Sequence, residues 1–362
     1  MVTSSLKRKQ APGYSYVEPE IVRDILSLLP VKALKRFQCV SKPWQAMIRS
    51  MNLNRHRLLC ARNPKLLLSI DYEALSKEGG AAIKQVSSPD VAEPNSSNIS
   101  ILGSCCGLVL LEVDEQDDIY VLWNPSTRET MVFPRPAPPK NKPLLSLHGV
   151  GYDPSAGDYK VVYGYSDRPK TVTEVFAVKT HTWRTYMDLE SVDVSGQGCY
   201  LNGAIHWIKL GFMSSTIVSF NLKENTFERT LSLPDNVPSS VGIGVTKNRL
   251  FIYSGTDISS LRIWVMNEFG VRESWTRVLR IPKKVLRRNF DPDEHGLKPL
   301  CILETGEVLF AHDDICLLLY DPKGRVFQTI VSEDIDQNII ETVFYEESLE
   351  SLPAAEVVDM EE

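Results

Sequence analysis

Apolar residues recur at helical spacing near the start of the chain. Five of them follow Pro19 in a pattern of i, i+3 and i+4 spacings, which predicts an amphipathic helix that begins at this proline. These residues are Ile21, Val22, Ile25, Leu26 and Leu29. Pro30 should end the helix, because the residue before a proline is disfavoured in the α region. A second short helix is predicted to carry Leu34, Phe37 and Val40.

A third helix is predicted after Ser41. The serine suits the N-cap position, and Trp44, Met47 and Ile48 follow it at spacings typical of one helix face. Three helices within residues 18 to 50 form a very small module. Because so short a segment buries little apolar surface by itself, we expect it to fold with a partner or against the rest of the chain.

The periodicity changes after residue 65, where short apolar runs alternate with turn residues. Ten hairpin-like segments group into five units of four predicted strands, which start near residues 100, 147, 198, 241 and 299. A four-stranded unit at this period is typical of a β-propeller blade. The remaining runs, 64–71 and 338–347, could share a sixth, composite blade. A two-sheet β-sandwich array is the alternative.

The predicted fold is therefore α+β overall. A small N-terminal three-helix module precedes an all-β, propeller-like domain of about six blades. Residues 76–98 are polar and residues 134–143 are rich in proline, so both are predicted to be exposed loops.

The composition of the chain indicates the cellular compartment in which we expect the protein. The chain has 362 residues, of which 43% are hydrophobic, and no apolar run is long enough for a membrane helix. The N-terminus has basic residues without a following apolar core, so no signal peptide is predicted. The seven cysteines lack paired spacing and are interpreted as small core residues in a reducing compartment. We expect a cytoplasmic or nuclear protein.

Charge is unevenly distributed. Residues 1–62 contain 12 Lys+Arg and 3 Asp+Glu, whereas the rest of the chain contains 28 and 43. A basic head on an acidic body favours an acidic partner for the head. Nucleic acid is disfavoured because the body would repel phosphates, and a membrane surface is disfavoured because Pro30 and Pro43 interrupt any long amphipathic helix.

Residues suited to catalysis or metal binding are few. His295 and His312 lie beside carboxylates but lack paired ligand spacing, so no metal or cofactor is expected. His206 alternates with strand residues and is interpreted as a packed strand histidine. Cys105 and Cys106 lie in an apolar run, which favours a core role over a nucleophile.

The helical segment contains a motif at fixed offsets: Ile25-Leu26, Leu29-Pro30, Val31-Lys32-Ala33-Leu34, Phe37, Val40, Lys42 and Trp44. With these residues, it resembles the F-box, the three-helix module that docks on the Skp-type adaptor of cullin–RING ubiquitin ligases. Two positions depart from the pattern. Leu28 stands where the family usually has arginine, and Val17-Glu18 stands where Leu-Pro usually opens the first helix.

The body contains seven characteristic stretches in order along the chain: "GSCCGLVLL", "LWNPSTRE", "GVGYDPSAGDYKVV", "GCYLNGAIHWI", "IVSFNLKENTF", "IWVMNEFGVRESW" and "YEESLESL". With these stretches, it resembles the F-box-associated domain of a large plant family that includes S-locus F-box proteins. We accordingly assign residues 15–58 to the F-box, 64–350 to the F-box-associated domain and 351–362 to an acidic tail.

The resemblance implies a non-catalytic substrate-recognition subunit of an Skp–cullin–F-box ubiquitin ligase. Its partners would be an Skp-type adaptor, through it the cullin and RING subunits, and a protein substrate. The docking surface and the small core beneath it would consist of Ile21, Val22, Ile25, Leu26, Leu29, Pro30, Leu34, Phe37, Val40 and Trp44. The sequence does not decide which of these face the adaptor, although Phe37 and Trp44 are expected to serve both roles.

Two further functions stay open: a non-ligase scaffold or sugar-binding propeller, and a propeller enzyme. For the ligase function, loops around 164–172, 208–216 and 284–298 are candidates for substrate contact.

Overall fold

The chain forms two compact units in a computed structural model, Met1–Leu53 and Asn54–Glu362. The structure describes residues 17–51, 53, 55–62, 66–71, 74, 82–89, 98–114, 119–136, 146–167, 170–188, 194–209, 215–234, 237, 241–254, 260–289, 296–312, 316–330 and 339–352. Within these residues, no helix is long and apolar enough to cross a membrane.

The first unit contains three short helices, as predicted. They are α1 (Pro19–Ser27), α2 (Val31–Phe37) and α3 (Lys42–Arg49). The Ser41 side chain caps α3 by accepting a 3.3 Å hydrogen bond from the backbone N–H of Trp44. Pro30 acts differently from the prediction, because α1 has already ended at Ser27 and Pro30 is the N-cap residue of α2.

The second helix is also shorter than predicted. It ends at Phe37, and Val40 lies in the turn that follows, with its N–H 3.1 Å from the carbonyl oxygen of Phe37. This turn lets the chain become extended at Ser41, the conformation that an N-cap residue requires.

In the part of the second unit that the structure describes, the strands form six sheets. Blade 1 contains β25 (Ile339–Glu346), β1 (His56–Arg62), β2 (Leu66–Ile70) and β3 (Ile83–Val86); blade 2 contains β4 (Asn98–Cys105), β5 (Leu108–Asp114), β6 (Ile119–Trp123) and β7 (Thr130–Pro134). Blade 3 contains β8 (Ser146–Asp153), β9 (Asp158–Asp167), β10 (Lys170–Ala177), β11 (Thr182–Asp188) and the added strand β12 (Gly196–Gln197).

The later blades follow the same order. Blade 4 contains β13 (Cys199–Leu201), β14 (Ala204–Lys209), β15 (Thr216–Asn221) and β16 (Thr226–Leu231). Blade 5 contains β17 (Val241–Thr246), β18 (Arg249–Ser254), β19 (Ser260–Met266) and β20 (Trp275–Pro282). Blade 6 contains β21 (Leu297–Ile302), β22 (Val308–His312), β23 (Cys316–Asp321) and β24 (Val326–Thr329). A 3₁₀ turn (Arg272–Ser274) precedes β20, and an unpredicted helix, α4 (Lys283–Asn289), follows it.

The first strands of the blades form the inner ring of a six-bladed β-propeller. Each packs against the first strand of the next blade, and β21 packs against β25, which closes the ring. β25 and β4 run in the same direction, since the Ile101 N–H donates to Glu341 and the Ser104 hydroxyl donates to the Phe344 carbonyl. The predicted fold class is confirmed.

Blade 1 is composite, as predicted from the two leftover segments. The C-terminal strand β25 pairs antiparallel with β1, so the two ends of the domain are joined in one sheet. The polar segment 76–98 was predicted to be a loop, but Ile83–Val86 is the outer strand of this blade. The free edge of β2 explains the difference, because it pairs Leu67 with Val86 and Ile70 with Ile83.

Apolar side chains fill the spaces between neighbouring blades. Trp123 lies in the cluster between blades 1 and 2, Trp207 between blades 3 and 4, and Phe310 between blades 5 and 6. Each is almost completely buried. Inner strands also lie close to aromatic rings of the next strand. A Cβ on Gly242, for example, would lie 2.1 Å from the Tyr253 ring, so a side chain at this position would require the ring to move.

The two ends of the propeller differ. At the turn end, short turns such as residues 106–107, 202–203 and 247–248 join the first and second strands of the blades. At the opposite end, called here the loop end, the second strand leads to the third and each blade leads to the next.

Candidate protein-docking surface

Large apolar side chains lie exposed on the helical unit. Ile21 and Ile25 on α1 are 51% and 53% exposed, Val40 before α3 is 60% exposed, and Leu28 after α1 is 81% exposed. Isolated apolar residues are common on protein surfaces. Four within twenty residues of one small unit are a concentration that is typical of an interaction site.

The ten residues predicted for docking divide into three groups by burial. Exposed are Ile21, Ile25, Pro30 and Val40; half-buried are Val22, Leu29, Phe37 and Trp44; buried are Leu26 and Leu34. The buried pair, together with Val31 and Ile48, forms a core to which all three helices contribute. The exposed group can contact a partner without disturbing this core, a division that the sequence left open.

Phe37 and Trp44 belong to the half-buried group and contact each other. Their ring centroids are 5.8 Å apart at an interplanar angle of 82°, an edge-to-face arrangement. The pair ties the end of α2 to the start of α3, where the Ser41 cap fixes the position of Trp44. Each ring therefore has both a structural contact and a surface available to solvent.

The charged residues between Leu28 and Ser50 are all basic. Lys35 and Arg36 lie in the last turn of α2 and Arg49 in the last turn of α3, where they interact favourably with the helix dipoles. Exposed basic side chains around an apolar patch form a rim that accelerates association with an acidic surface.

Outside the helical unit, His206 was interpreted as a packed strand histidine, and this is confirmed. The side chain is fully buried, with Nδ1 2.7 Å from the Ser219 hydroxyl and Nε2 3.1 Å from the Leu201 carbonyl oxygen. These partners fit a neutral ring that accepts at Nδ1 and donates at Nε2. Burial lowers the pKa of His206 to about 4.

The cysteine pair is placed differently from the prediction. Cys105 is buried in the core of blade 2, but Cys106 is exposed in the turn that follows, with φ near +48°. The two sulfur atoms are 3.4 Å apart. The hydrogen bond from Cys105 lowers the pKa of the Cys106 thiol, whereas burial raises that of Cys105. An apolar run had suggested two core cysteines, but the strand ends at Cys105.

The other cysteines are also not uniformly buried. Cys60 and Cys301 are core residues, Cys199 is half-buried and Cys39 is exposed. Of the two histidines considered for a metal, His295 lies outside the described residues and His312 is buried in β22. The described residues contain no group of three or more His, Cys, Asp and Glu side chains placed to hold a metal ion.

The three segments predicted to contact the substrate lie at connections of the loop end. Residues 164–172 join β9 to β10, residues 208–216 join β14 to β15, and residues 284–298 contain α4 and lead into β21. Their central parts, 168–169, 210–214 and 290–295, lie outside the described residues.

A polar cluster that the sequence did not predict lies at the same end, between blades 2 and 3. Arg135 is 2.9 Å from Glu112 and lies over the Tyr120 ring, with its Cζ atom 5.6 Å from the centroid. Burial and Arg135 lower the pKa of His148 to about 4, and burial raises the pKa of Tyr163. Tyrosine and arginine are enriched at protein interfaces. Only strand register brings these residues together, so spacing along the chain gave no signal.

Comparison with known proteins gives two matches along the chain. Residues 19–56 match the F-box domain, and residues 53–348 match the F-box-associated beta propeller domain. An F-box/kelch-repeat protein of Arabidopsis thaliana is 27% identical over 290 residues, which cover 73% of this chain and 79% of that protein. F-box protein CPR1 of the same plant is 26% identical over 371 residues, which cover 87% and 84%. The domain boundaries assigned from sequence, at 58, 64 and 350, stay predictions.

Proposed function

The chain belongs to the plant F-box proteins that carry an F-box-associated β-propeller domain. We therefore propose that it is the substrate receptor of an Skp–cullin–F-box ubiquitin ligase. An F-box implies binding to an Skp-type adaptor, and the combination with a propeller supports a general role in substrate recognition. The finer proposal is that the helical unit docks on the adaptor and the propeller presents a protein for ubiquitination.

One observation carries the docking proposal: the exposed apolar residues of the helical unit do not contribute to its own core. Ile21, Ile25 and Val40 are each more than half exposed, while Leu26 and Leu34 are buried. Burying the three exposed side chains would stabilise a complex by roughly 1 to 2 kcal/mol each, as partial burial of a large aliphatic side chain does. Half-buried Phe37 and Trp44 would supply the aromatic contacts that often dominate an interface.

No catalytic step is assigned to this chain. Proteins of this family are typically non-catalytic adaptors, and in the proposed complex the conjugating enzyme performs ubiquitin transfer. The chain would contribute proximity, since a substrate held on the propeller has a high effective concentration near the enzyme. The cullin and RING subunits would be reached through the adaptor, in the cytoplasm or the nucleus.

The test compares two matched valines. Val40 is 60% exposed on the helical unit and Val326 is 59% exposed on β24 of the propeller. We expect Val40→Asp and Ile25→Asp each to weaken co-purification with an Skp-type adaptor about tenfold or more, because a carboxylate replaces buried apolar contact. Val326→Asp should leave it unchanged.

Two results would remove the proposal. One is a full-length chain that retains no adaptor, and the other is equal retention by all three variants. The non-ligase scaffold or sugar-binding alternative predicts the first result, so the same experiment separates the two functions.

A further inference from the structure

Three polar residues form a row across blade 5 near the loop end. Ser254 on β18 is paired with Arg262 on β19, and Arg262 is paired with Arg280 on β20. Directly paired residues of antiparallel strands project from the same face of a sheet, about 5 Å apart. The three side chains therefore stand side by side on one face of the blade.

This face is the one that packs toward blade 4. Ile252 and Trp264 lie two residues from Ser254 and Arg262 on the same strands, and both belong to the apolar cluster between blades 4 and 5. The row lies next to that cluster, on its loop-end side. Exposure increases along it, since Ser254 is 1% exposed, Arg262 is half-buried and Arg280 is exposed. The row therefore extends from the exposed Arg280 on the outer strand β20 to the buried Ser254 on the second strand β18.

Two atoms in the row are buried without a hydrogen-bond partner: the Ser254 hydroxyl oxygen and Nε of Arg262. Buried polar atoms in folded proteins are nearly always paired, and leaving one unpaired is unfavourable. Arg262 also stands directly opposite Arg280, and like charges in directly opposed positions repel each other. An anion between the two guanidinium groups would remove both penalties.

The surroundings of the row are also positive. The segment from Trp275 to Asn289 contains six basic residues and no acidic one, although the propeller as a whole is acidic. Its described basic side chains other than Arg280, namely Arg277, Lys283, Lys284 and Arg288, are exposed. Four of the six basic residues follow β20, which finishes at the loop end, and would attract an anionic group to the row.

We propose that Ser254, Arg262 and Arg280 form a binding site for a phosphorylated side chain of a protein substrate. A phosphoryl group carries a charge of about −1.5 to −2 and three acceptor oxygens. Two guanidinium groups and one hydroxyl match that charge and that number of acceptors better than they match a single carboxylate. The site lies at the end of the propeller where residues 284–298 had been predicted to contact the substrate. The proposal rests on the substrate-recognition function proposed above and names the chemical class of the substrate.

The test uses the full-length chain and two immobilised pools of degenerate peptides that differ only in a central phosphoserine or serine. We expect at least tenfold greater retention on the phosphoserine pool, because only the phosphorylated peptides can accept charge-assisted hydrogen bonds from both guanidinium groups. Arg262→Gln and Arg280→Gln should each abolish the difference between the pools. Arg184→Gln, at an exposed arginine on the outer strand β11, should preserve it.

Ser254→Ala separates a binding role from a structural one. Since the hydroxyl has no partner, its removal should leave thermal stability unchanged or higher while retention on the phosphoserine pool falls. A loss of stability without loss of retention would overturn the assignment of Ser254 to the site.

Three other results would overturn the proposal as a whole: equal retention on both pools, unchanged retention of the two arginine variants, or stabilisation by inorganic phosphate without retention on the phosphoserine pool. Retention on immobilised RNA that depends on the same arginines, without a phosphoserine preference, would instead indicate a nucleic-acid site. None of these measurements involves the adaptor. A failure of adaptor binding is therefore distinguishable from a failure of this site.

Discussion

His206 makes the stability of the propeller depend on pH in a way that can be measured. The ring is fully buried, accepts from the Ser219 hydroxyl and donates to the Leu201 carbonyl. Burial lowers its pKa from the usual 6.5 to about 4. The folded chain thus binds fewer protons than the unfolded chain between these values. The contribution to stability is fully present above the unfolded pKa and is lost as pH falls through the folded pKa.

The size of the effect follows from the two pKa values. At about pH 5 the imidazole is almost fully protonated in the unfolded chain and almost neutral in the folded chain. The free energy of unfolding should therefore fall by roughly 2 kcal/mol between about pH 7.5 and pH 5 because of this group alone. Other groups add their own changes, including His148, whose pKa is also lowered to about 4.

A comparison with His206→Gln isolates the contribution, because the other groups titrate equally in both proteins. Urea unfolding of the full-length chain at the two pH values should show a fall about 2 kcal/mol larger in the wild type than in the variant. Ser219→Ala is the control. It removes the hydroxyl partner but keeps the buried imidazole, so most of the pH dependence should persist. If wild type and His206→Gln lose the same free energy, the buried neutral histidine is refuted.

Three further predictions concern the propeller. Gly242→Ala should lower the free energy of unfolding by about 1 to 3 kcal/mol, since the added Cβ would lie 2.1 Å from the Tyr253 ring; unchanged urea unfolding would contradict this. Asn124→Ala should make the segment after β25 more susceptible to proteolysis, because the buried amide donates a 2.8 Å hydrogen bond to the Glu350 carbonyl. Cys106, exposed and with a lowered pKa, should be alkylated by iodoacetamide well before the buried cysteines, as peptide mass spectrometry would record.

The regular elements were predictable where one physical signal controls them. The periodicity of α1, the cap at Ser41 and the repeated hairpins of blades 2 to 6 each follow from local sequence. The composite blade was predicted from two strand-like segments at opposite ends of the chain, but the strand that lies between them in the sheet, His56–Arg62, was not predicted.

Elements that depend on tertiary pairing were missed. Ile83–Val86 is a strand because β2 offers a free edge, although its own sequence is half polar and lies in a polar segment. Lys283–Asn289 is a helix of one or two turns, too short to produce a clear periodic pattern. Cys106 was assigned to the core because hydropathy continues through residues 105–110, while the chain reverses at this residue.

The candidate sites show the same limit. Sequence patterns identified the residues of the helical unit but not which of them are exposed, because burial depends on how three helices pack. The row of Ser254, Arg262 and Arg280 spans three strands and becomes apparent only from their register. Spacing along the chain contains no information about such a row.

Hydrogen exchange of the full-length chain, with and without a purified Skp-type adaptor, tests the docking surface most directly. We predict that the adaptor slows exchange of backbone amides within Pro19–Arg49, including the turn that contains Val40, and leaves the strands of blade 2 unchanged. Unchanged exchange throughout the three helices at saturating adaptor, or protection confined to the propeller, would contradict the account.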